Sequence, residues 1–414
     1  MNTQLDILAM IAEAETERRQ GRDAKHLWQK IIAIAPEHPR VLFVQGQWEM
    51  ERRRPDQAAQ FFARAGKANR AEAAIPFHEA LAHRAAGNAA GEMTALDRAL
   101  TIDPDYFLAL LGKGVLLERQ LKPRAAARIY RRLLDIAPQD EKIAPALREA
   151  IAHARTVAAQ DTDALENWLA DQVQGLDISE RARECFGIAA GRMKPHVQHA
   201  ELLHFPQLPA IAFYDRALFP WIRNLEAAAG AIRMELLALL QEDQGFQPYV
   251  ALPVNEPLGQ WANLNQSPQW NAWYLWKDGA RQDDHCARAP VTTAALQVIP
   301  QLKIDGFAPT AFFSVLAAGT HLPAHAGSTN VRLTVHLPLI LPGPARFRVG
   351  NFERAWREGE AWVFDDTIEH EAWNDADAPR TILIFDVWNP LLTEAECDIA
   401  AALLNARRSY YQAG

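Results

Sequence analysis

Four histidines and one arginine carry most of the chemistry that this sequence offers. His321, His325 and His336 lie within GTHLPAHAGSTNVRLTVHLPL, residues 319–339; His370 and Arg380 lie within FDDTIEHEAWNDADAPRTILIFDVWNP. A divalent metal needs neutral imidazoles that converge from non-adjacent segments. A histidine before a turn and another at the end of a later strand, brought to one barrel mouth, would meet that need. One strand histidine alone reads as structural; several, followed by an arginine, read as a site. The usual oxygenase iron site adds a carboxylate two residues after its first histidine. Here that position is Gly327, so spacing alone weakens an iron assignment. Asp365 and Asp366 mimic ligands but read better as the turn that delivers His370. Glu369 and Glu371 read as supporting or solvated groups, and His321 as structural. Asp386 reads as a hydrogen-bonding group at the barrel end.

The elements that must position these residues have a β pattern. Short runs rich in β-branched and aromatic residues occur after about Leu203: AFFSVLAAG, VRLTVHLPLIL, RFRVG, EAWVFD and RTILIFDVW. Gly, Pro and Asp separate them, which predicts a sandwich or jelly roll. FPWIRNLEAAAGAIRMELLALLQED precedes the runs as a strong helix.

The first part of the chain repeats itself at 34 residues, the tetratricopeptide period. Ala24, Ala58, Glu92 and Ala126 share one column; Trp28, Phe62, Leu96 and Tyr130 share the next. Ala12, Gly46, Ala80 and Gly114 share an upstream column, and Pro36, Arg70, Pro104 and Pro138 close the units. Small residues let paired helices approach, large ones fill the groove, and proline stops the second helix. The fold class is therefore multidomain. Residues 1–158 form an all-α repeat solenoid and 159–202 a helical connector. Residues 203–414 form a double-stranded β-helix (jelly roll, cupin-like) braced by helices. The solenoid would offer a concave surface for a peptide or helix, a spacer or a dimerisation face.

Bulk properties narrow the function. The 414 residues exceed one ordinary core, and 49% apolar with 23% charged residues is a globular balance. A net charge of -8 argues against a dedicated nucleic-acid partner. Cys185, Cys286 and Cys397 have no framework spacing, which predicts free thiols in a reducing, cytoplasmic compartment. No signal peptide and no membrane-length apolar run are expected. No phosphate-binding loop and no G-x-S-x-G elbow are present.

Four stretches resemble the aspartyl/asparaginyl β-hydroxylase family: FYDRALFPWIRNLE, WNAWYLWKDG, the histidine segment 319–339, and EGEAWVFDDTIEHEAWNDADAPRTILIFDVWNP. They span about Phe213 to Leu392. That family carries glycine in place of the carboxylate ligand, so Gly327 becomes part of the resemblance. What it implies is an Fe(II)/2-oxoglutarate-dependent dioxygenase that also consumes O2. Its action would be hydroxylation of the β-carbon of Asp or Asn in a protein or peptide, with succinate and CO2 as co-products. His325 and His370 match the iron ligands. Arg380 matches the arginine that pairs with the distal carboxylate of 2-oxoglutarate, and Ser314 and His336 match positions that hold the same co-substrate. Arg332 and Trp270 match positions near the acceptor. The family's second arginine is here Thr334, and the partner slot of a relative's disulfide near Cys286 is here Thr293. The family also places helical repeats before its oxygenase domain, and the repeat surface would dock the substrate. A lipid acyl chain, a free amino acid, or a non-catalytic scaffold remain as alternatives.

Overall fold

The computed structural model describes residues 3–137, 145–242 and 244–412. They divide into two compact units, Met1–Arg192 and Met193–Gly414. No helix among the described residues is long and apolar enough to cross a membrane.

The first unit is a tetratricopeptide-like stack of four helix pairs. These are α1 (Thr3–Arg19) with α2 (Lys25–Ile34), α3 (Pro39–Glu51) with α4 (Pro55–Ala68), α5 (Ala74–Ala85) with α6 (Ala89–Ile102), and α7 (Phe107–Arg119) with α8 (Pro123–Asp135). A longer helix, α9 (Pro145–Gln172), and a short one, α10 (Glu180–Ala190), follow. Pro39, Pro55 and Pro123 open their helices, where a missing N–H costs nothing. The large column Trp28, Phe62, Leu96 and Tyr130 is buried throughout. Its members meet the small column directly: a Cβ on Gly46 would lie 2.7 Å from Phe62, and one on Gly114 2.1 Å from Tyr130. Glu92, which breaks the alanine column, is buried between Arg84 (3.6 Å) and Arg119 (3.1 Å). Pro138 lies outside the described residues.

The second unit opens with α11 (Ile222–Glu242), then β1 (Gln247–Pro248), β2 (Trp270–Lys277) and β3 (Ala280–Arg281). Short helices α12 (Asp283–Arg288) and α13 (Pro290–Gln297) precede β4 (Ala311–Leu316), β5 (His321–His325) and β6 (Arg332–Ile340). Then come β7 (Ala345–Val349), β8 (Phe352–Ala355), β9 (Trp362–Phe364), β10 (His370–Asn374), β11 (Arg380–Trp388) and α14 (Glu394–Gln412). All pairings between these strands are antiparallel. A large sheet runs β1-β2-β4-β11-β6-β9 with β3 on β2, and a small one runs β5-β10-β7-β8.

Alternation of side chains gives the large sheet two buried faces. Leu333, Val335, Leu337 and Leu339 of β6, with Leu383, Phe385 and Val387 of β11, pack on Ile222, Leu225, Ile232 and Leu236 of α11. The opposite face shares a core with the small sheet, where Leu316 and Ile382 meet Phe347, Val349 and Ala372. Arg332, Thr334 and His336 on β6, and Arg380 and Asp386 on β11, lie in the alternate register and face that inner side. The same logic places Trp270 of β2 and Ser314 of β4 inward.

Candidate metal centre

His325 closes β5 and His370 opens β10, and the antiparallel register sets the two directly opposite each other. Their ring centroids are 4.1 Å apart. His325 Nδ1 lies 2.8 Å from Pro323 O, and His370 Nδ1 lies 3.0 Å from Ile368 O. A carbonyl only accepts, so each Nδ1 donates and each Nε2 keeps its lone pair. Burial lowers the pKa of His370 to about 3, helped by the neighbouring His325. Burial also lowers that of His325, against the opposing pull of the Pro323 carbonyl, Asp366 and Glu371. Both rings are thus held as neutral imidazoles of one tautomer, the form that ligates a metal.

The turn before His370 is built by Asp365. Its carboxylate accepts from Thr367 N (3.0 Å), Thr367 Oγ1 (2.5 Å) and Gln198 Nε2 (2.6 Å). Burial raises its pKa to about 6, with those hydrogen bonds acting the other way. Asp366 takes a different part. It fills the space beside Gly327, where a Cβ would come within 2.3 Å of its carboxyl carbon, and Gly327 N donates to its main-chain oxygen at 2.5 Å. Position 327 therefore has no room for a ligand side chain. Among the described residues no group of three or more His, Cys, Asp or Glu is placed to hold a metal. The pair His325 and His370 therefore stands without a third such group beside it.

Arg380, the first residue of β11, is 1% exposed and lies over the Trp356 ring at 4.2 Å. Its Nε and Nη1 have no hydrogen-bond partner, and burial alone lowers its pKa to about 9. A buried guanidinium without a counter-ion is costly, so the residue implies an anion from outside the chain. His336 lies between Phe347 and Phe364 with Nδ1 unpartnered. Burial, then the positive charge of Arg380, keeps it neutral far below the ordinary imidazole range. Ser314 Oγ accepts from Trp270 Nε1 at 3.0 Å, and Trp270 stacks on Tyr249 at 4.0 Å.

One cavity of 690 Å³ brings together Trp270, Ser314, His325, Arg332, His336, His370 and Arg380. Sequence reasoning missed Trp261 and Tyr249 there and read Asp366 only as part of a turn. Trp261 sets its ring edge-on to His325 at 5.0 Å, Tyr249 extends the aromatic wall, and Asp366 lines the space. Only Asp366 left a signal, as the second acid of an Asp-Asp pair. His321 stays out of the centre: it pairs with Glu371 (3.0 Å) and stacks on Trp373. Glu369 and Glu371 both engage Arg348. Asp386 accepts from Thr310 N and faces Arg332.

Residues 226–390 match the family model described as aspartyl/asparaginyl beta-hydroxylase. This domain belongs to the aspartyl/asparaginyl beta-hydroxylase family. An ornithine lipid ester-linked acyl 2-hydroxylase of Rhizobium tropici is 35% identical over 196 residues, 47% of this chain and 66% of that protein. The aspartyl/asparaginyl beta-hydroxylase of Homo sapiens is 35% identical over 181 residues, 42% of this chain and 21% of that protein. The chain thus spans about two thirds of the first relative and about a fifth of the second. The first TPR domain of human RPAP3 is 19% identical, with a TM-score of 0.26, over 30% of this chain and 92% of that one. Cys185, Cys286 and Cys397 are all free; Cys286 is buried, and Thr293 Oγ1 donates to its carbonyl at 3.1 Å.

Proposed function

We propose that this chain is an Fe(II)/2-oxoglutarate-dependent dioxygenase that hydroxylates the β-carbon of an Asp or Asn residue in a protein or peptide. One observation carries the reading. Two neutral imidazoles with free Nε2 lone pairs and a buried, unpaired guanidinium line the same cavity. The donor set fits iron(II) on His325 and His370, with open positions for a chelating co-substrate. Two protein ligands would make a poor closed zinc site. Iron(II) bound there, with 2-oxoglutarate and O2, would supply C–H hydroxylation with succinate and CO2 as co-products.

The residues do the positioning. Arg380 offers unmatched N–H groups at Nε and Nη1 as charge-assisted donors to a distal carboxylate. His336 and Ser314 stand on the same inner sheet face and orient the co-substrate beside it. Phe347, Phe364 and Trp356 keep water from this end. We read the two sheets as a double-stranded β-helix whose open end holds the acceptor. The repeat unit is assigned to engaging the protein substrate outside the modified residue.

The test is succinate release from the full chain loaded with iron(II), in the presence of peptide pools, with +16 Da mass gain on the acceptor. His370→Ala is expected to lower turnover at least 1000-fold, about 4 kcal/mol; undiminished turnover would overturn the reading. A second reading, hydroxylation of a lipid acyl chain, is favoured by the apolar wall of Trp261, Trp270, Tyr249 and Phe312 and by the Rhizobium tropici relative. A lipid extract in place of the peptide pool separates the two.

A further inference from the structure

Opposite the unpaired Arg380, the cavity holds a second charged group of another kind. Arg332 is shared between two carboxylates: its Nη1 lies 3.3 Å from Asp386 Oδ2, and its Nη2 lies 3.6 Å from Asp366 Oδ2. Thr334 Oγ1 donates to Asp366 Oδ2 at 3.2 Å, and Thr310 N donates to Asp386. All three charged residues line the cavity and are largely buried. One guanidinium therefore faces two acids. The rim adds one charge of each sign, Lys277 and Asp278, with the Lys277 amine over the Tyr274 ring at 4.8 Å. Among the described residues, the guanidinium at this end is already engaged by two carboxylates.

Two atoms of the cluster lack partners. Arg332 Nε is a buried donor and Asp366 Oδ1 is a buried acceptor. A group that satisfies both must present one acceptor and one donor. A carboxylate presents acceptors alone; it would meet Arg332 Nε but set a second negative oxygen against Asp366 in a cluster already rich in acid. A phosphate would do the same with more charge. A primary carboxamide has the right pair, its C=O for Arg332 Nε and its NH2 for Asp366 Oδ1.

We propose that the acceptor end of this pocket recognises an uncharged primary carboxamide, an asparagine-type side chain, in preference to a carboxylate or phosphate. The proposal rests on the hydroxylase reading above and narrows its substrate. Thr334 is the deciding residue. It tethers Asp366 without neutralising it, whereas a cation at that position would balance the cluster and admit an anion.

The experiment uses the full chain and two peptide libraries identical except for a fixed central Asn or Asp. Binding is followed by tryptophan fluorescence, since Trp261 and Trp270 line the cavity, and turnover by succinate release. The Asn library is expected to bind and react at least 10-fold better than the Asp library. Thr334→Arg is expected to narrow or reverse that ratio at least 10-fold. Asp386→Asn, nearly isosteric and one charge less, is expected to shift it the same way by a smaller factor. Equal or better use of Asp by the unaltered chain, binding of neither library, or a ratio that neither variant moves would overturn the proposal. Binding of 2-oxoglutarate is measured in the same samples. If it binds while Asp is preferred, the acceptor assignment alone falls; if it does not bind, the hydroxylase reading falls.

Discussion

The two units bury charge in opposite ways. In the helical unit, buried Glu92 sits between Arg84 and Arg119, and buried Glu79 pairs with Arg98. Each acid has its counter-ion within the fold. In the sheet unit, Arg380 is as deeply buried yet unpaired, and His336 Nδ1, Arg332 Nε and Asp366 Oδ1 are unmatched around one cavity. The first pattern is what stability alone requires. The second leaves desolvation uncompensated until something binds. The helical unit also has unmatched atoms, on Glu49, Glu79 and Arg98, but those three residues keep ion-pair partners; what sets the cavity apart is the buried charge of Arg380 without one.

That contrast predicts opposite outcomes for removing a charge. Arg380→Met is expected to weaken 2-oxoglutarate binding at least 30-fold, about 2 kcal/mol. The same change should leave the melting temperature of the ligand-free protein unchanged or higher. Calorimetry and thermal melts read both; a large loss of ligand-free stability would mean that Arg380 is paired after all. Glu92→Ala should do the reverse. It strands two half-exposed arginines and costs about 1–2 kcal/mol of stability, with no effect on co-substrate affinity.

Asp365 sharpens the comparison through pH. Its carboxyl, raised from 3.8 to about 6 by burial, favours the folded state when protonated. That stabilisation is complete below the unfolded value and lost as pH rises through about 6. Asp365→Asn cannot ionise, so its stability relative to the unaltered chain should rise between pH 4 and pH 7, by about 2–3 kcal/mol. Denaturant melts across that range read the slope; a flat difference would show a carboxylate that titrates normally. Gly114→Val carries a smaller effect of another kind. Its side chain would overlap Tyr130 and should lower the stability of the helical unit by about 1–3 kcal/mol, read as an earlier helical transition by circular dichroism.

Much of this organisation is written in the sequence because its signals are periodic or local. The 34-residue columns appear as helix pairs, since a glycine at 46 or 114 and an aromatic ring at 62 or 130 must meet wherever the repeat occurs. The β-rich runs appear as β4, β6, β7, β9 and β11. Strands β2, β5, β8 and β10 gave weaker signals: β2 is apolar on both faces and β5 and β8 are short and polar, so no alternation announces them. The seven site residues singled out by resemblance share one cavity. What no pattern could give was the pairing around Arg332. Asp366 and Asp386 come from distant segments, and only the strand register brings both to one guanidinium. Trp261 likewise reaches His325 from a single 3-10 turn, Gly259–Trp261, too short to announce itself.

The most direct test of the account is an anaerobic titration of iron(II), followed by 2-oxoglutarate, into the full chain and its His325→Ala and His370→Ala variants. The account predicts one iron per unaltered chain, tightened by 2-oxoglutarate, and loss of that site in either variant. Iron bound equally well by both variants, or 2-oxoglutarate binding that ignores the metal, would contradict it.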